Sequence, residues 1–284
     1  MSIFNNPTFK DIIQYQLAGI RSLDRESISR LYEPLLKVEN QLRIDLDRYS
    51  GSQFTYKKKQ RTLTAIRKQL ILMEQILEQR SEEDAGKYFN FGNELANEEV
   101  SSYNKIFTGV TYDLPKQRVA VKQNEFLINN MKQSLRTYSA GIRAQVSNAL
   151  TQAVLAGASG YEVTAKISQF LQIKKWRIVR IVRTEQHRIF NAAKLLTYNK
   201  FKETRFSDLY KRMGHPMDHR TAEDSKQLKR LDPIVPLNKP FVFVYKRRLA
   251  NGQMRKTVQT GMVPPLRPND RAYLIPWRKK WKED

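Results

Sequence analysis

Residues 28–49 read ISRLYEPLLKVENQLRIDLDRY, and residues 63–77 read LTAIRKQLILMEQIL. In the first stretch Ile28, Leu31, Leu35, Val38, Leu42, Leu46 and Tyr49 step by three and four; in the second Leu63, Ile66, Leu70, Met73 and Leu77 do the same. That spacing lays one apolar stripe along each of two helices. Ser50-Gly51-Ser52-Gln53 between them breaks the pattern over a hairpin's length. Two antiparallel helices, each burying its stripe on the other, are the simplest solution. Pro34 lies inside the first stripe and predicts a kink or a fresh start there.

Working outward, a less regular third helix is expected over about 85–107, ending near Gly109. Tyr112-Asp113-Leu114-Pro115 reads as a joint. A long helix follows from about Lys116 to Leu155, with Leu127, Met131, Leu135, Tyr138, Ile142, Val146, Ala149 and Ala153 on one stripe. Ala156-Gly157-Ala158-Ser159-Gly160 stops it, and Ser159 with Glu162 has capping-box spacing. A short helix to about Leu171 and a longer one over about 174–202 come next. Beyond residue 205 the composition changes. Phe241-Val242-Phe243-Val244-Tyr245 is β-branched and aromatic, and Asn251-Gly252 separates it from Gln253–Thr260 as a two-residue hairpin turn would. The proline-rich end, 262–284, is expected to be extended. The fold class is therefore mainly α with a small α+β C-terminal part: an N-terminal antiparallel helical hairpin, long central helices, a C-terminal β-hairpin and an extended tail. The domain division expected is a helical, coiled-coil-like arm over 1–114 and a second domain over 115–284.

Composition narrows the function classes. The chain has 284 residues, 40% of them apolar, which suffices for a real core. It has no cysteine, which excludes disulfides, thiol nucleophiles and cysteine-ligated metal. No apolar run approaches the roughly 18–20 residues of a membrane span, and the first residues lack the basic start and apolar centre of a secretion signal. A soluble protein made in a cytoplasm is expected. The net charge is +23, and it is uneven. Residues 1–172 hold 23 Lys+Arg against 18 Asp+Glu; residues 173–284 hold 28 against 10. The C-terminal part is thus suited to a polyanion, with nucleic acid the commonest in a cytoplasm, or to an acidic protein surface.

Four places carry candidate chemistry. On the helix over 174–202, Arg177, Arg180, Arg183, Arg188 and Lys194 form a basic face that can lie along phosphates or simply be solvated. Within it Glu185, one of two acids between 173 and 205, is expected to orient an arginine through an ion pair. Asp218-His219-Arg220-Thr221, with His215 and Asp224 nearby, could form an acid–base or hard-metal cluster; an Asx-type turn before a short helix, with Asp218 as its cap, is the alternative. Val263-Pro264-Pro265-Leu266-Arg267-Pro268-Asn269-Asp270-Arg271 is stiffened by three prolines, and Asp270 beside Arg271 can hold a turn. In the tail, Trp277 and Trp281 flank Arg278, Lys279 and Lys280: indoles for stacking on bases or burial at an interface, cations for phosphates, or Trp277 docked on the chain's own core.

In this order and spacing, three of these pieces resemble the Mu F-like family of tailed-phage minor head (head morphogenesis) proteins. The matching residues are Arg183-Thr184-Glu185 with Asn191-Ala192, then Asp218-His219-Arg220-Thr221, then Pro264-Pro265-Leu266-Arg267-Pro268-Asn269-Asp270-Arg271-Ala272. The resemblance covers roughly residues 120–275, and it makes 115–284 the family-like domain with a basic tail. Where such proteins often carry Cys or His, this chain has Ala222 and Ser225, then Arg267, Asp270 and Ala272. No metal and no cofactor are therefore expected. Ion pairs of Asp218 or Asp270 with Arg183, Arg220 or Arg271 are expected instead.

The resemblance implies a non-enzymatic minor structural protein inside the phage head, near the portal vertex, made and assembled in the host cytoplasm. Its partners would be the portal protein, the major capsid protein and packaged double-stranded DNA held without base readout, with no membrane in the assembled head. It would act in head assembly and genome delivery. The alternative is a nucleic-acid-processing enzyme, a nuclease or transferase, built on Glu185, Asp218, His219 and Asp224. A host-type DNA-binding regulator ranks last, for want of a compact helix-turn-helix.

Overall fold

A computed structural model describes residues 8–47, 56–110, 121–216, 223–248, 253–266 and 271–281. The chain is mainly helical, with small antiparallel sheets in its C-terminal region. Four long helices come first: α1 Phe9–Asp47, α2 Tyr56–Thr108, α3 Val121–Leu155 and α4 Gly160–Thr204. Then follow β1 Tyr210–Gly214, α5 Glu223–Leu231, β2 Ile234–Pro236, β3 Phe241–Arg248, β4 Met254–Gly261 and β5 Tyr273–Trp277, with a closing 3-10 turn at Lys279–Trp281.

The helices are fewer and longer than periodicity predicts. α1 is continuous through Pro34, and it opens at Phe9 on a capping box that the apolar stripes do not mark. There the Thr8 amide donates to Asp11 Oδ2 (2.9 Å), and the Asp11 amide donates to Thr8 Oγ1 (3.2 Å). The helices expected over 63–77 and 85–107 are one, α2. Its intervening polar run, 78–84, is tolerated because its acids are matched. Arg136 donates to both carboxylate oxygens of Glu78 (2.7 and 2.9 Å), Lys132 Nζ reaches Glu82 at 2.6 Å, and Arg30 reaches Asp84 at 2.7 Å. The two helices expected between 160 and 202 are likewise one, α4. It starts at the predicted capping box, where the Ser159 amide donates to Glu162 Oε2 (2.8 Å) and the Glu162 amide donates to Ser159 Oγ (3.3 Å).

The chain forms two compact units. The first comprises 1–23, 85–127 and 183–284; the second comprises 24–84 and 128–182. Each of the four long helices contributes residues to both units.

The second unit buries Leu70, Met73 and Leu77 of α2, Met131, Leu135, Ile142 and Val146 of α3, and Ile178, Val179 and Val182 of α4. Toward the end of α3 the buried stripe runs through Leu150, and the expected Ala149 is exposed.

In the first unit a three-stranded antiparallel sheet has the order β2-β1-β5, with Met213 opposite Leu274 and Lys211 opposite Pro276. Leu209, Met213, Leu274 and Ile275 join one core with Ala96, Val100 and Tyr103 of α2, Tyr198 and Phe201 of α4, and Ile12 of α1. Residues 9–23 and 85–108 thus belong to the C-terminal core. β3 and β4 pair separately, and Phe241 and Phe243 enter the same core.

Their register pairs Arg248 with Met254. A two-residue turn at Asn251-Gly252 would pair Arg248 with Arg255 instead, so the paired strands correct that expectation by one residue. Asn251 and Gly252 lie outside the described residues. So do the joint at 112–115 and residues 217–222, which include Asp218-His219-Arg220-Thr221; α5 starts at Glu223, five positions beyond Asp218.

Candidate functional site

The basic face predicted on α4 divides into three environments. Arg177 and Arg180 are exposed in the second unit. There Arg177 helps line a groove of about 510 Å³ with Tyr138, Ile142, Gln145 and Ile181. Burial raises the Tyr138 hydroxyl's pKa, against the pull of the Arg177 and Arg180 charges. Arg183 and Arg188 are half-buried in the first unit. The Arg188 guanidinium donates to both oxygens of Glu185 at 2.5 Å and to the Pro265 carbonyl at 3.4 Å. Glu185 therefore orients an arginine, as its setting among bases predicts.

Lys194 does not belong to a DNA-facing surface. Its side chain is 0% exposed, and Nζ donates to Glu99 Oε1 (2.7 Å), Gln16 Oε1 (3.0 Å) and the Leu274 carbonyl (2.5 Å). Tyr198 donates its hydroxyl to the other Glu99 oxygen. Burial pushes Glu99 up and Lys194 down, the attraction between the two charges opposing both; burial and the Glu99 charge push Tyr198 well up. Charge type alone suggests a solvent-facing lysine, but residues from Thr184 to Tyr198 face the core on nearly every side.

One turn before Lys194, Asn191 completes the same construction. Its Nδ2 donates to the Ala272 carbonyl (3.5 Å) and to the His187 carbonyl (2.9 Å), while its Oδ1 accepts the Leu274 amide (2.8 Å). The amide group thus stands in for a neighbouring strand along the outer edge of β5. Pro264 and Pro265 are buried, and Arg271 is half-buried. Two pieces of the expected motif, the α4 segment and the segment after Val263, are therefore brought together about 80 residues apart in sequence. Asp218, His219, Arg220, Thr221, Asn269 and Asp270 lie outside the described residues, as does the side chain of Asp224. The expected ion pairs of Asp218 and Asp270 lie there too.

The tail folds back onto the chain. Arg278 is buried: Nε donates to Asp208 Oδ1 (2.8 Å), Nη1 donates to Asn104 Oδ1 (3.3 Å), and the guanidinium covers the Phe206 ring at 4.2 Å. Trp281, rather than Trp277, is the deeply buried indole, edge-on to Tyr103 at 6.0 Å. Lys279 and Lys280 remain exposed.

Charge and periodicity also leave out Gln16, Glu99 and Lys211. Lys211 Nζ lies 2.7 Å from the Met262 carbonyl and 3.1 Å from that of Leu237, over the Phe241 ring at 5.1 Å. Burial lowers its pKa from 10.5 to about 8. Burial, with the Glu99 charge, raises Tyr273 from 10.0 to about 12. The unfolded chain thus holds the lysine proton where the folded chain has lost it, and stability rises with pH from about 8 toward 10.5. For the tyrosine the folded chain keeps its proton longer, so stability falls as pH rises from 10.0 toward 12. Urea midpoints should therefore climb between about pH 8 and 10, for a gain in unfolding free energy on the order of 1–2 kcal/mol after allowance for solvent screening, and fall above about pH 10.5. Lys211→Met should flatten the climb; an unchanged climb would assign it elsewhere.

Among the described residues no group of three His, Asp or Glu could hold a metal, and no helix is long and apolar enough to cross a membrane. No protein-family model, curated protein or solved structure matches the chain.

Proposed function

We propose that the chain is a minor structural protein of a tailed-phage head, made and assembled in the host cytoplasm and held in the capsid interior near the portal vertex. It binds the portal and major capsid proteins and lies against packaged double-stranded DNA without reading bases, serving head assembly and genome delivery. The observation that carries this reading is the meeting of two signature segments. Arg188 bonds to Pro265, and Asn191 bonds to the strand that follows the proline-rich element. Residues that look like an ordered motif in sequence thus act together as a structural clamp.

A binding role is also supported by how Glu185 is used. Both of its oxygens are taken by Arg188, which leaves the carboxylate poorly placed as a general base. Exposed Arg177, Arg180, Lys279 and Lys280 supply charge for DNA in this reading; buried Lys194 and Arg278 serve the fold.

The test is a mass-spectrometric inventory of purified particles of the virus encoding the chain, before and after genome release. The expected result is a few copies per particle. Absence from mature particles, or turnover of a nucleic-acid substrate by the isolated chain, would overturn the reading.

A further inference from the structure

From Pro233 to Asn269 the chain contains no acidic residue and seven Lys or Arg. Five of these, Lys246, Arg247, Arg248, Arg255 and Lys256, fall at the distal end of the β3–β4 ribbon. The register sets Lys246 opposite Lys256 and Arg247 opposite Arg255. Like charges directly opposite each other destabilise a strand pair, and a ribbon selected only for its own stability would set opposite charges there. On β4, Arg255 and Lys256 are exposed. The other end of the ribbon is anchored: Phe241 and Phe243 are buried in the core, and Tyr245 stacks on Phe243 at 6.3 Å. The cations therefore stand at the end of the ribbon away from the buried phenylalanines, and the register gives none of them an acid as its cross-strand partner.

We propose that the distal end of the β3–β4 ribbon is a phosphate-gripping arm that enters a groove of double-stranded nucleic acid. Successive register positions belong to opposite faces of a ribbon. The Lys246–Lys256 position and the Arg247–Arg255 position thus serve different faces, and a groove offers a row of phosphates on either side. A two-stranded ribbon fits the major groove, about 12 Å wide. Phosphates on both sides relieve the cross-strand repulsion, so the cost built into the free arm is returned on binding.

An acidic protein surface offers one wall rather than two. Among the described residues of the ribbon, exposed Val242, Val244 and Val258 lie toward the anchored end, and Met254 is the apolar residue among the distal cations. This inference rests on the nucleic-acid part of the proposed function and assigns the contact to residues that the basic face of α4 does not include.

The test uses the full chain, a labelled mixed-sequence DNA duplex of about 30 bp and fluorescence anisotropy across about 50–200 mM salt. Two variants are compared with the wild type. One is Lys246→Ala/Arg247→Ala/Arg255→Ala/Lys256→Ala; the other is Arg255→Glu/Lys256→Glu, which turns both repulsive pairs into attractive ones. The first should lower the slope of log affinity against log salt by roughly 3–4. The second should bind the duplex at least about tenfold more weakly while unfolding at the same temperature or higher, which no damaged fold would do. Wild-type affinity and slope in both variants would overturn the arm and leave DNA binding elsewhere on the chain. Failure of the wild-type chain to bind the duplex would overturn the nucleic-acid reading as well.

Discussion

Replacing Lys194 by alanine should destabilise the protein by about 3–5 kcal/mol, because it leaves the Glu99 carboxylate enclosed without its cation. The Leu274 carbonyl and Gln16 Oε1 lose a donor in the same step. The loss should depend on pH. Burial already raises the Glu99 pKa, and removing the lysine takes away the attraction that opposes the rise. The variant should therefore regain stability relative to the wild type as the pH falls and the carboxyl takes up a proton. Lys194→Met combined with Glu99→Gln should recover a large part of the loss, since charge and partner leave together. Urea denaturation of Lys194→Met, Glu99→Gln and their combination forms a thermodynamic cycle. A loss under about 1 kcal/mol for Lys194→Ala would mean that the pair is not enclosed as described.

The second large effect is expected at Gly92. A Cβ there would lie 2.4 Å from the Phe190 carbonyl oxygen and 3.1 Å from the Ala193 Cβ. The first obstacle is backbone, so relief requires α2 and α4 to move apart, and the moving segment of α4 carries Asn191 and Lys194. Gly92→Ala should cost about 3 kcal/mol, at the upper end of overpacking effects. Gly86→Ala and Gly141→Ala are the controls. Both lie within helices, at α2 and α3, and a Cβ at either meets nothing within 4 Å. They should stabilise by about 0.5–1 kcal/mol through helix propensity alone. Thermal unfolding of the three variants separates the cases, and a Gly92→Ala variant that behaves like the controls would remove the close helix crossing from the account.

Much of the secondary structure is legible in the chain because it rests on near-neighbour effects. Residues three and four apart share a helix face, so Leu70, Met73 and Leu77 announce their own burial. Ser159 and Glu162 announce a helix start, because a capping box closes within four residues. Thr8 and Asp11 carry the same signal, weaker to the eye because an Asp stands in the usual Glu position. The strand at 241–245 follows from its β-branched and aromatic residues. Strands β1 and β2, five and three residues long, are too short for alternation to separate them from loop. The merging of α2 depends on bases supplied by α1 and α3, which no local window contains.

By itself the sequence determined that this protein is a helical chain without thiols whose positive charge gathers toward its C-terminal end. Only the tertiary structure decided which of those charges face water. Lys194 has the composition of a surface residue and sits instead at the centre of a core, because Glu99, 95 positions away, and Gln16, 178 positions away, converge on its amine. Side-chain type sets what a charge can bind; the long-range packing that encloses or exposes it sets what it does bind, and that packing is written in no stretch short enough to read alone.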